Sequence, residues 1–345
     1  MRRKPVNPRT AAALADPDVS VIICTHNRRA RLLRACAALS QQAYPPGRFE
    51  LIVVDNASED DTAEAIDQFR RASPFACRRI AEPALGKSRA LNAGAAAARG
   101  ALLAFTDDDC EPQPAWLAAL TEPFGDPTTG VVGGPVLSHF PPEVEADPEK
   151  RFIAHKFFGN FSLGEELREL RGRESPLGAN MMVHAEAFRR AGGFATFLGP
   201  VAGRGGTHEE TDLAWRVREA GYRLRYQPRA VVDHHPDISR LSRPAMRRHA
   251  LATGRCAFLA RHREPSRLGG RCFRTALVAL ELVPRGLRWL LSAPFNHARF
   301  VAEFRLLCAV GKLTGVWQNV ARTEILLPPR PGAWDGDDRG RGGRA

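Results

Sequence analysis

The sequence Ala101-Leu102-Leu103-Ala104-Phe105-Thr106-Asp107-Asp108-Asp109 joins a short apolar run to three consecutive carboxylates. Gly100 precedes the run, and Pro112 and Pro114 follow it, so we expect a buried strand over 101–105. Carboxylates crowded at a strand end repel one another unless a positive charge lies between them. A hard divalent cation shared with substrate phosphates is one such charge. A solvated acidic turn is the other interpretation of the same residues.

The composition is typical of a globular protein that has anionic partners. Of the 345 residues, 44% are hydrophobic and 26% are charged, and 50 Lys and Arg against 38 Asp and Glu give a net charge of +12. This charge favours nucleotide phosphates, acidic membrane surfaces or nucleic acid as partners. The seven cysteines are scattered without a CxxC pair, which argues against a zinc cluster and a disulfide framework and fits reduced cytosolic thiols.

Apolar runs alternate with stretches of helical spacing in the first third of the chain. Strands are expected over 19–24, 49–54 and 101–105, and this β-α-β-α alternation predicts a parallel sheet with helices on both faces. Ligands of such α/β sheets bind outside the carboxyl ends of the strands. Asp55 and Asp107–Asp109 follow directly on predicted strands. We therefore expect two acidic sites at one edge of one sheet.

The last third of the chain is expected to be helical and to make one of two kinds of contact. The segments 273–293 and 296–317 are rich in apolar residues, but charged residues interrupt both, so neither predicts a membrane-spanning helix. The first alternative is packing on the catalytic domain or on a second subunit, as in a homodimer. The second is peripheral contact of 270–327 with an anionic membrane. We expect a cytoplasmic protein, which in the second case would lie on the inner face of the membrane.

Seven segments follow one another along the chain: Val19–Arg28, Val53–Ser58, Gly86–Gly94, Asp107–Asp109, Gly178–Asn180, Glu209–Leu213 and Val232–His234. In this order they resemble the motifs of the inverting family 2 glycosyltransferases, which have the GT-A fold. The resemblance runs over roughly two-thirds of the chain, from Val19 to His235. It implies an α/β protein with a mixed, mainly parallel central sheet flanked by helices and followed by a helical C-terminal extension.

The resemblance also implies a role for each matching residue. Asp109, with its DxD-like neighbours, would bind Mn²⁺ or Mg²⁺ together with His234, and Glu210 would be the catalytic base. The remaining matched residues would bind the nucleotide-diphosphate sugar: Thr25, Asn27, Arg28, Asp55, Lys87, Asp107 and Asp108. The implied reaction transfers a sugar, most commonly from a UDP-sugar, to a hydroxyl of a glycan, a lipid-linked glycan or a small metabolite. One displacement would invert the anomeric centre.

Two site assignments stay open at this point. The family's base is usually an aspartate, whereas this chain has Glu210, so Glu209 and Asp212 are alternatives. His234 and His235 are adjacent and would point to opposite sides of a strand, so only one of them can face a metal.

These motifs suggest four parts of the chain. They are a flexible leader over 1–17, a catalytic domain over 18–240, a helical region over 241–327 and a disordered tail over 328–345. Within the catalytic domain, 18–125 would bind the nucleotide sugar and 126–240 would form the acceptor side.

Two other functions are weaker interpretations. A nucleotidyltransferase would show a Gly-rich, basic phosphate loop after its first strand, where this chain has Thr25-His26-Asn27-Arg28. A nucleic-acid-binding protein would explain the charge of +12 and would bind with steep salt dependence. The basic residues are concentrated outside the predicted sheet edge, so no nucleic-acid partner is expected.

Overall fold

The computed structural model describes residues 17–201, 205–262, 268–292 and 297–318. The predicted leader, apart from Pro17, and the predicted tail lie outside these residues.

An eight-stranded mixed sheet forms the centre of the molecule. In chain order its strands are β1 (Val19–Thr25), β2 (Phe49–Asp55), β3 (Ala76–Ala81), β4 (Leu102–Asp107), β6 (Thr129–Gly133), β8 (Arg168–Glu169), β9 (Met181–His184) and β10 (Arg223–Tyr226). Their spatial order is β3-β2-β1-β4-β9-β6-β10-β8. Strands β3, β2, β1 and β4 are parallel to one another, and β10 is parallel to β6. Strand β9 is antiparallel to both of its neighbours, and β8 is antiparallel to β10.

Helices cover both faces of this sheet. In chain order they are α1 (Arg29–Leu39), α2 (Thr62–Ala72), α3 (Lys87–Ala97), α4 (Trp116–Thr121), α5 (Pro142–Ala146), α6 (Pro148–Phe157), α7 (Ala185–Ala191) and α8 (Glu209–Glu219). Val21 and Ile23 of β1 pack in a core with α1 and α4, and Ile22 packs in a second core with α3, α7 and α8. Because both faces are covered, the central strands are apolar almost without interruption.

The register of the central strands aligns the acidic residues at one edge. Thr25 at the end of β1 pairs with Asp55 on one side, and Cys24 pairs with Asp107 on the other. These are the carboxyl ends of parallel strands, where an open α/β sheet leaves a crevice for ligands. The sheet therefore brings Asp55 and the run at 107–109 to the same edge, as the sequence predicts.

A small second sheet completes this edge. It contains β5 (Cys110–Pro112), β7 (Val136–Ser138) and β11 (Val232–His234), in the order β5-β11-β7. Strand β11 is antiparallel to β5, and the register places His234 directly opposite Cys110. Because β5 begins immediately after Asp109, this pairing brings the end of β11 to the acidic run.

Three long helices follow, α9 (Arg243–Arg261), α10 (Leu268–Leu291) and α11 (His297–Gln318). Helices α9 and α11 cross closely at glycines: a Cβ added to Gly254 would lie 1.8 Å from the carbonyl oxygen of Cys308. Helix α10 lies beside α11, where Lys312 contacts Glu281 at 2.6 Å. Within the part of the chain that the structure describes, no helix is long and apolar enough to cross a membrane.

Candidate active site

Asp107, at the end of β4, pairs with Lys87, the first residue of α3. The ammonium nitrogen lies 2.5 Å from Oδ1 of Asp107 and 4.0 Å from Oε1 of Glu209. Burial alone would raise the pKa of Asp107, but the Lys87 charge outweighs it and the pKa lies below the usual value. Burial would lower the pKa of Lys87, but Asp107 and Glu209 raise it above the usual value. Both groups are therefore ionised at neutral pH.

Asp108 turns toward the loop after β1. Its Oδ2 accepts a hydrogen bond of 2.8 Å from the Thr25 hydroxyl, and its Oδ1 lies 3.0 Å from an Arg28 Nη1. Burial raises the pKa of Asp108 to about 6, although Arg28 opposes this effect. Two residues that the sequence assigns to the donor, Thr25 and Arg28, thus hold a carboxylate of the acidic run here.

Asp109 uses its two oxygens for different neighbours. Oδ2 lies 3.5 Å from Arg28 Nη1 and 3.6 Å from Arg31 Nη1. Oδ1 faces the other way and lies 3.7 Å from Nε2 of His234. Asp109 itself is almost fully buried. The carboxylate is therefore neutralised on one side, and its second oxygen is directed at an imidazole.

His234, not His235, is the histidine that faces the acidic run. Nδ1 of His234 lies 3.2 Å from the Ser138 hydroxyl, whereas the His235 ring lies 3.5 Å from Glu111, away from Asp109. Burial lowers the pKa of His234, and Asp109 opposes this. A neutral imidazole whose Nδ1 donates to Ser138 keeps its Nε2 lone pair for a metal. A buried carboxylate oxygen and an imidazole nitrogen 3.7 Å apart are a donor pair that fits a divalent cation.

Asp55 and Asn27 shape the neighbouring loops. Oδ1 of Asp55 accepts from the backbone N–H of Ser58 at 3.1 Å, and Oδ2 lies 3.9 Å from Arg79. Oδ1 of Asn27 accepts from the backbone N–H of Glu59 at 2.7 Å, which ties the loop after β1 to the loop after β2. Asn27 also has a positive φ of 53°. The observed contacts of Asn27 support the loop, so its predicted contact with the donor stays a prediction.

Glu209 and Glu210 open helix α8 across from Lys87. Burial raises the pKa of Glu210 to about 8, and the adjacent Glu209 carboxylate adds to this effect. Glu209 is buried, and among the described residues its Oε2 has no hydrogen-bond partner. A Cβ on Gly178 would lie 3.4 Å from the Glu210 side chain, so the glycine leaves space beside this carboxyl group.

Asp212, the other candidate base, is engaged elsewhere. Its Oδ2 lies 2.7 Å from the Arg216 guanidinium one helical turn further along α8, and both side chains are buried. Asn180, which resembles an acceptor-side residue, lies in the core, where its side chain donates to the carbonyl oxygens of Pro135 and Ala230. Its Oδ1 accepts from the Trp116 indole at 2.8 Å. The geometry gives both residues structural contacts.

Two neighbours of the acidic run are absent from the sequence prediction. Arg31 contacts Asp109 and also lies 3.4 Å from Asp237. Its spacing of three residues from Arg28, in the first turn of a predicted helix, is the one sequence signal that could have indicated it. Cys110 lies beside Asp109 and opposite His234. No sequence signal indicated Cys110, because its position depends on the pairing of β5 with β11.

The fold and this site together define an α/β protein with carboxylates and basic residues at the ligand edge of its sheet. The sequence profile described as glycosyl transferase family 2 matches residues 20–191. The glycosyltransferase AglE of Haloferax volcanii is 30% identical over 222 residues, which are 64% of this chain and 67% of AglE. The chain belongs to glycosyl transferase family 2 and is a glycosyltransferase, as the motifs predict.

Two further proteins are similar to this chain. The pre-mycofactocin glycosyltransferase of Mycobacterium tuberculosis is 30% identical over 238 residues, which are 66% of this chain but only 45% of that protein. The mannosyltransferase PcManGT from Pyrobaculum calidifontis, solved in complex with GDP-Man and Mn²⁺, has a TM-score of 0.58 at 21% identity. The similarity covers 87% of this chain and 88% of PcManGT. It confirms the predicted GT-A fold.

The raised pKa of Glu210 predicts a pH-dependent stability. The folded state holds a proton on Glu210 between its ordinary pKa of 4.5 and about 8, whereas the unfolded state releases it, so the free energy of unfolding falls as pH rises across this range. The Glu210→Gln variant has no carboxyl group at this position, so its free energy of unfolding does not decrease for this reason. We expect the variant to gain about 1–3 kcal/mol over the wild type between pH 5 and pH 8, less than full burial would give because Glu210 is half-buried.

Urea unfolding at pH 5 and pH 8 measures this difference. Glu143→Gln, at an exposed glutamate in the first turn of α5, is the control and should follow the wild type. If the free energy of unfolding changed with pH equally in the wild type and in Glu210→Gln, ionisation of Glu210 would not destabilise the folded state, and the prediction would be wrong.

Proposed function

We propose that this glycosyltransferase moves a sugar from a nucleotide-diphosphate sugar to an acceptor hydroxyl by a single, inverting displacement assisted by a metal. UDP-sugars are the first donors to test, with GDP- and dTDP-sugars next. The acceptor would be a glycan, a lipid-linked glycan or a small metabolite. Residues 18–125 would form the donor half and residues 126–240 the acceptor half.

The observation that carries this proposal is the position of the Lys87 ammonium between two groups of acids. It contacts Asp107 at 2.5 Å and faces Glu209 at 4.0 Å. One end of the acidic run is therefore close to the start of α8, where Glu210 is the next residue. In an inverting displacement the acceptor hydroxyl and the leaving diphosphate lie on opposite sides of the anomeric carbon, so the residues that serve them must lie about one sugar ring apart.

Asp109 and His234 are the residues that would hold Mn²⁺ or Mg²⁺. The bound ion would act as a Lewis acid that stabilises the charge of the leaving diphosphate. The neighbour PcManGT was solved with Mn²⁺ and GDP-Man, which supports testing both ions and GDP-linked donors as well as UDP-linked ones. Mg²⁺ favours oxygen ligands, so the imidazole of His234 is a reason to test Mn²⁺ first.

The basic residues at this edge would serve the donor phosphates. Arg28, Arg31 and Lys87 each neutralise a carboxylate of the acidic run in this structure. Arginine and lysine bind phosphate oxygens in the same way as they bind carboxylate oxygens. When the donor binds, these basic residues would give up part of their contacts with the carboxylates and bind the diphosphate. Asp55, at the end of β2, would accept hydrogen bonds from the nucleoside.

Glu210 would take the acceptor proton. As the acceptor oxygen bonds to the anomeric carbon, the bond from that carbon to the diphosphate oxygen breaks, and the proton passes to the Glu210 carboxylate. Glu210 can accept this proton only when it is ionised, so with a pKa of about 8 we expect transfer to increase as pH rises toward 8. A single displacement of this kind inverts the anomeric centre.

A screen of nucleotide sugars with Mn²⁺ or Mg²⁺ tests the proposal through two variants that should fail differently. Asp109→Asn should lose metal-dependent donor binding. Glu210→Gln should bind the donor like the wild type but lose transfer by about 10²–10⁴-fold, because general base catalysis contributes that much. Donor binding is read by calorimetry, and transfer by release of the nucleoside diphosphate.

Glu111→Gln is the matched control for Asp109→Asn, because Glu111 is two residues away and pairs with Arg34. It should keep both activities. Full transfer by Glu210→Gln would show that the base lies elsewhere. If the wild type were active with none of the nucleotide sugars and showed no metal-dependent nucleotide binding, the proposal as a whole would be contradicted.

We further propose that α10 lies on an anionic membrane surface at the cytoplasmic face. Seven large apolar side chains of this helix are exposed: Phe273, Leu277, Leu280, Val283, Leu287, Leu290 and Leu291. Most are spaced by three or four residues, which places them on one side of the helix. Leu280 is 68% exposed and Leu291 is 84% exposed, so α11 does not cover this side.

The charges of α10 favour a membrane over a second apolar protein surface. The helix contains four arginines and one acidic residue, Glu281, which pairs with Arg285 and Lys312. A helix with one apolar side and a net positive charge binds in the plane of an anionic bilayer. This position would suit a lipid-linked acceptor.

Sedimentation of the full-length protein with vesicles tests this contact. We expect binding to phosphatidylglycerol-rich vesicles and weak binding to phosphatidylcholine vesicles, because the arginines add electrostatic attraction. Leu280→Glu and Leu287→Glu should each weaken binding, whereas Leu167→Glu, at an exposed leucine outside α10, should not. Unchanged binding by the α10 variants would contradict the proposal. The proposal would also be contradicted if the wild type bound no vesicles but formed a dimer, and if the α10 variants split that dimer.

A further inference from the structure

Cys110 stands in the same small sheet as His234 and directly opposite it. The antiparallel register of β5 and β11 pairs these two residues, so their side chains emerge on the same face of the sheet. Cys110 is fully buried, and Asp109 precedes it in the chain. A sulfur, a nitrogen and an oxygen donor are thus brought together by a single strand pairing.

The three donor atoms have the spacing of a metal site. Sγ of Cys110 lies 3.9 Å from Oδ1 of Asp109, and Nε2 of His234 lies 3.7 Å from the same oxygen. One ligand atom from each of the three residues lies within 4.8 Å of the others. An ion at the centre of this triangle would be about 2.5 Å from each atom, close to the ~2.0–2.3 Å of zinc–nitrogen, zinc–oxygen and zinc–sulfur bonds.

The surroundings orient the donors toward this point. Arg28 and Arg31 approach Oδ2 of Asp109, so Oδ1 is the oxygen that faces Cys110 and His234. The contact between Nδ1 of His234 and the Ser138 hydroxyl directs Nε2 toward the same oxygen. Asp109 can therefore bind an ion through Oδ1 while it keeps both arginines.

We propose that Cys110, Asp109 and His234 form a binding site for a thiophilic divalent cation such as Zn²⁺. As the sulfur–metal bond forms, the thiol proton passes to solvent and the site gains a thiolate ligand. Zinc accepts sulfur, nitrogen and oxygen together, whereas Mg²⁺ takes oxygen ligands and leaves the thiol unused. Three protein ligands leave the fourth tetrahedral position to water or to another ligand.

The consequence for catalysis rests on the proposed function. Asp109 and His234 cannot serve Zn²⁺ and the catalytic ion at once, so Zn²⁺ would compete with Mn²⁺ or Mg²⁺ and inhibit transfer. The metal site itself is independent of sugar transfer, and a spectroscopic test separates the two proposals.

Cobalt(II) is the probe, because a thiolate ligand gives it a near-ultraviolet charge-transfer band that oxygen and nitrogen ligands do not. We expect the full-length protein to develop this band on titration with Co²⁺ and to lose it on addition of Zn²⁺. Cys110→Ala and Cys110→Ser should abolish the band and weaken Zn²⁺ binding by at least about tenfold. The serine variant keeps the side-chain size, and its near-native circular dichroism would show that the fold is intact.

Cys24→Ala and Cys272→Ala are the matched controls and should keep the band. Cys24 is the half-buried thiol at the end of β1, and Cys272 is the exposed thiol on α10. Absence of the band in the wild type would overturn the proposal. Persistence of the band in Cys110→Ser, or its loss in Cys24→Ala, would also overturn it, because another cysteine would then be the ligand.

Discussion

Three consecutive carboxylates at the end of a buried strand impose the constraint on which this site depends. Such a cluster must be neutralised, and the structure does so with at least one basic contact for each carboxylate: Lys87 for Asp107, Arg28 for Asp108, and Arg28 with Arg31 for Asp109. These basic residues come from the loop after β1, from α1 and from the start of α3. The order of the central strands therefore decides which charges meet, and the sheet and the site form together.

The same constraint links the two halves of the proposed mechanism. Lys87 lies between the acidic run and the Glu209–Glu210 pair at the start of α8. Burial and Glu209 raise the pKa of Glu210, and the Lys87 charge opposes them. A donor diphosphate that bound Lys87 would move this charge relative to the Glu209–Glu210 pair and so change the pKa of Glu210. Donor binding and ionisation of the proposed base are therefore expected to be coupled.

The sequence was sufficient for the central strands and for the common edge of Asp55 and Asp107–Asp109, because β1, β2 and β4 are apolar runs and an acid marks the end of β2 and of β4. It could not show which histidine faces Asp109, since that depends on the register of β11 against β5. The same pairing explains why Cys110 was missed among scattered cysteines. Asp212 and Asn180 have the residue types of site positions, yet Arg216 and the carbonyl groups of the core engage them. For α10, the sequence indicated an amphipathic helix, but only the packing of α11 shows which side is exposed.

The central claim is that the acidic run is a centre where a metal and a nucleoside diphosphate bind together. Calorimetric titration of UDP, GDP and dTDP, each with and without Mn²⁺, tests it most directly. Because Arg28 and Arg31 already neutralise Asp109, Mn²⁺ alone should bind weakly, and one of the nucleotides should bind at least about tenfold more tightly when Mn²⁺ is present. By linkage, the same nucleotide should strengthen Mn²⁺ binding by the same factor. Equal affinity for all three nucleotides with and without the ion would contradict the account.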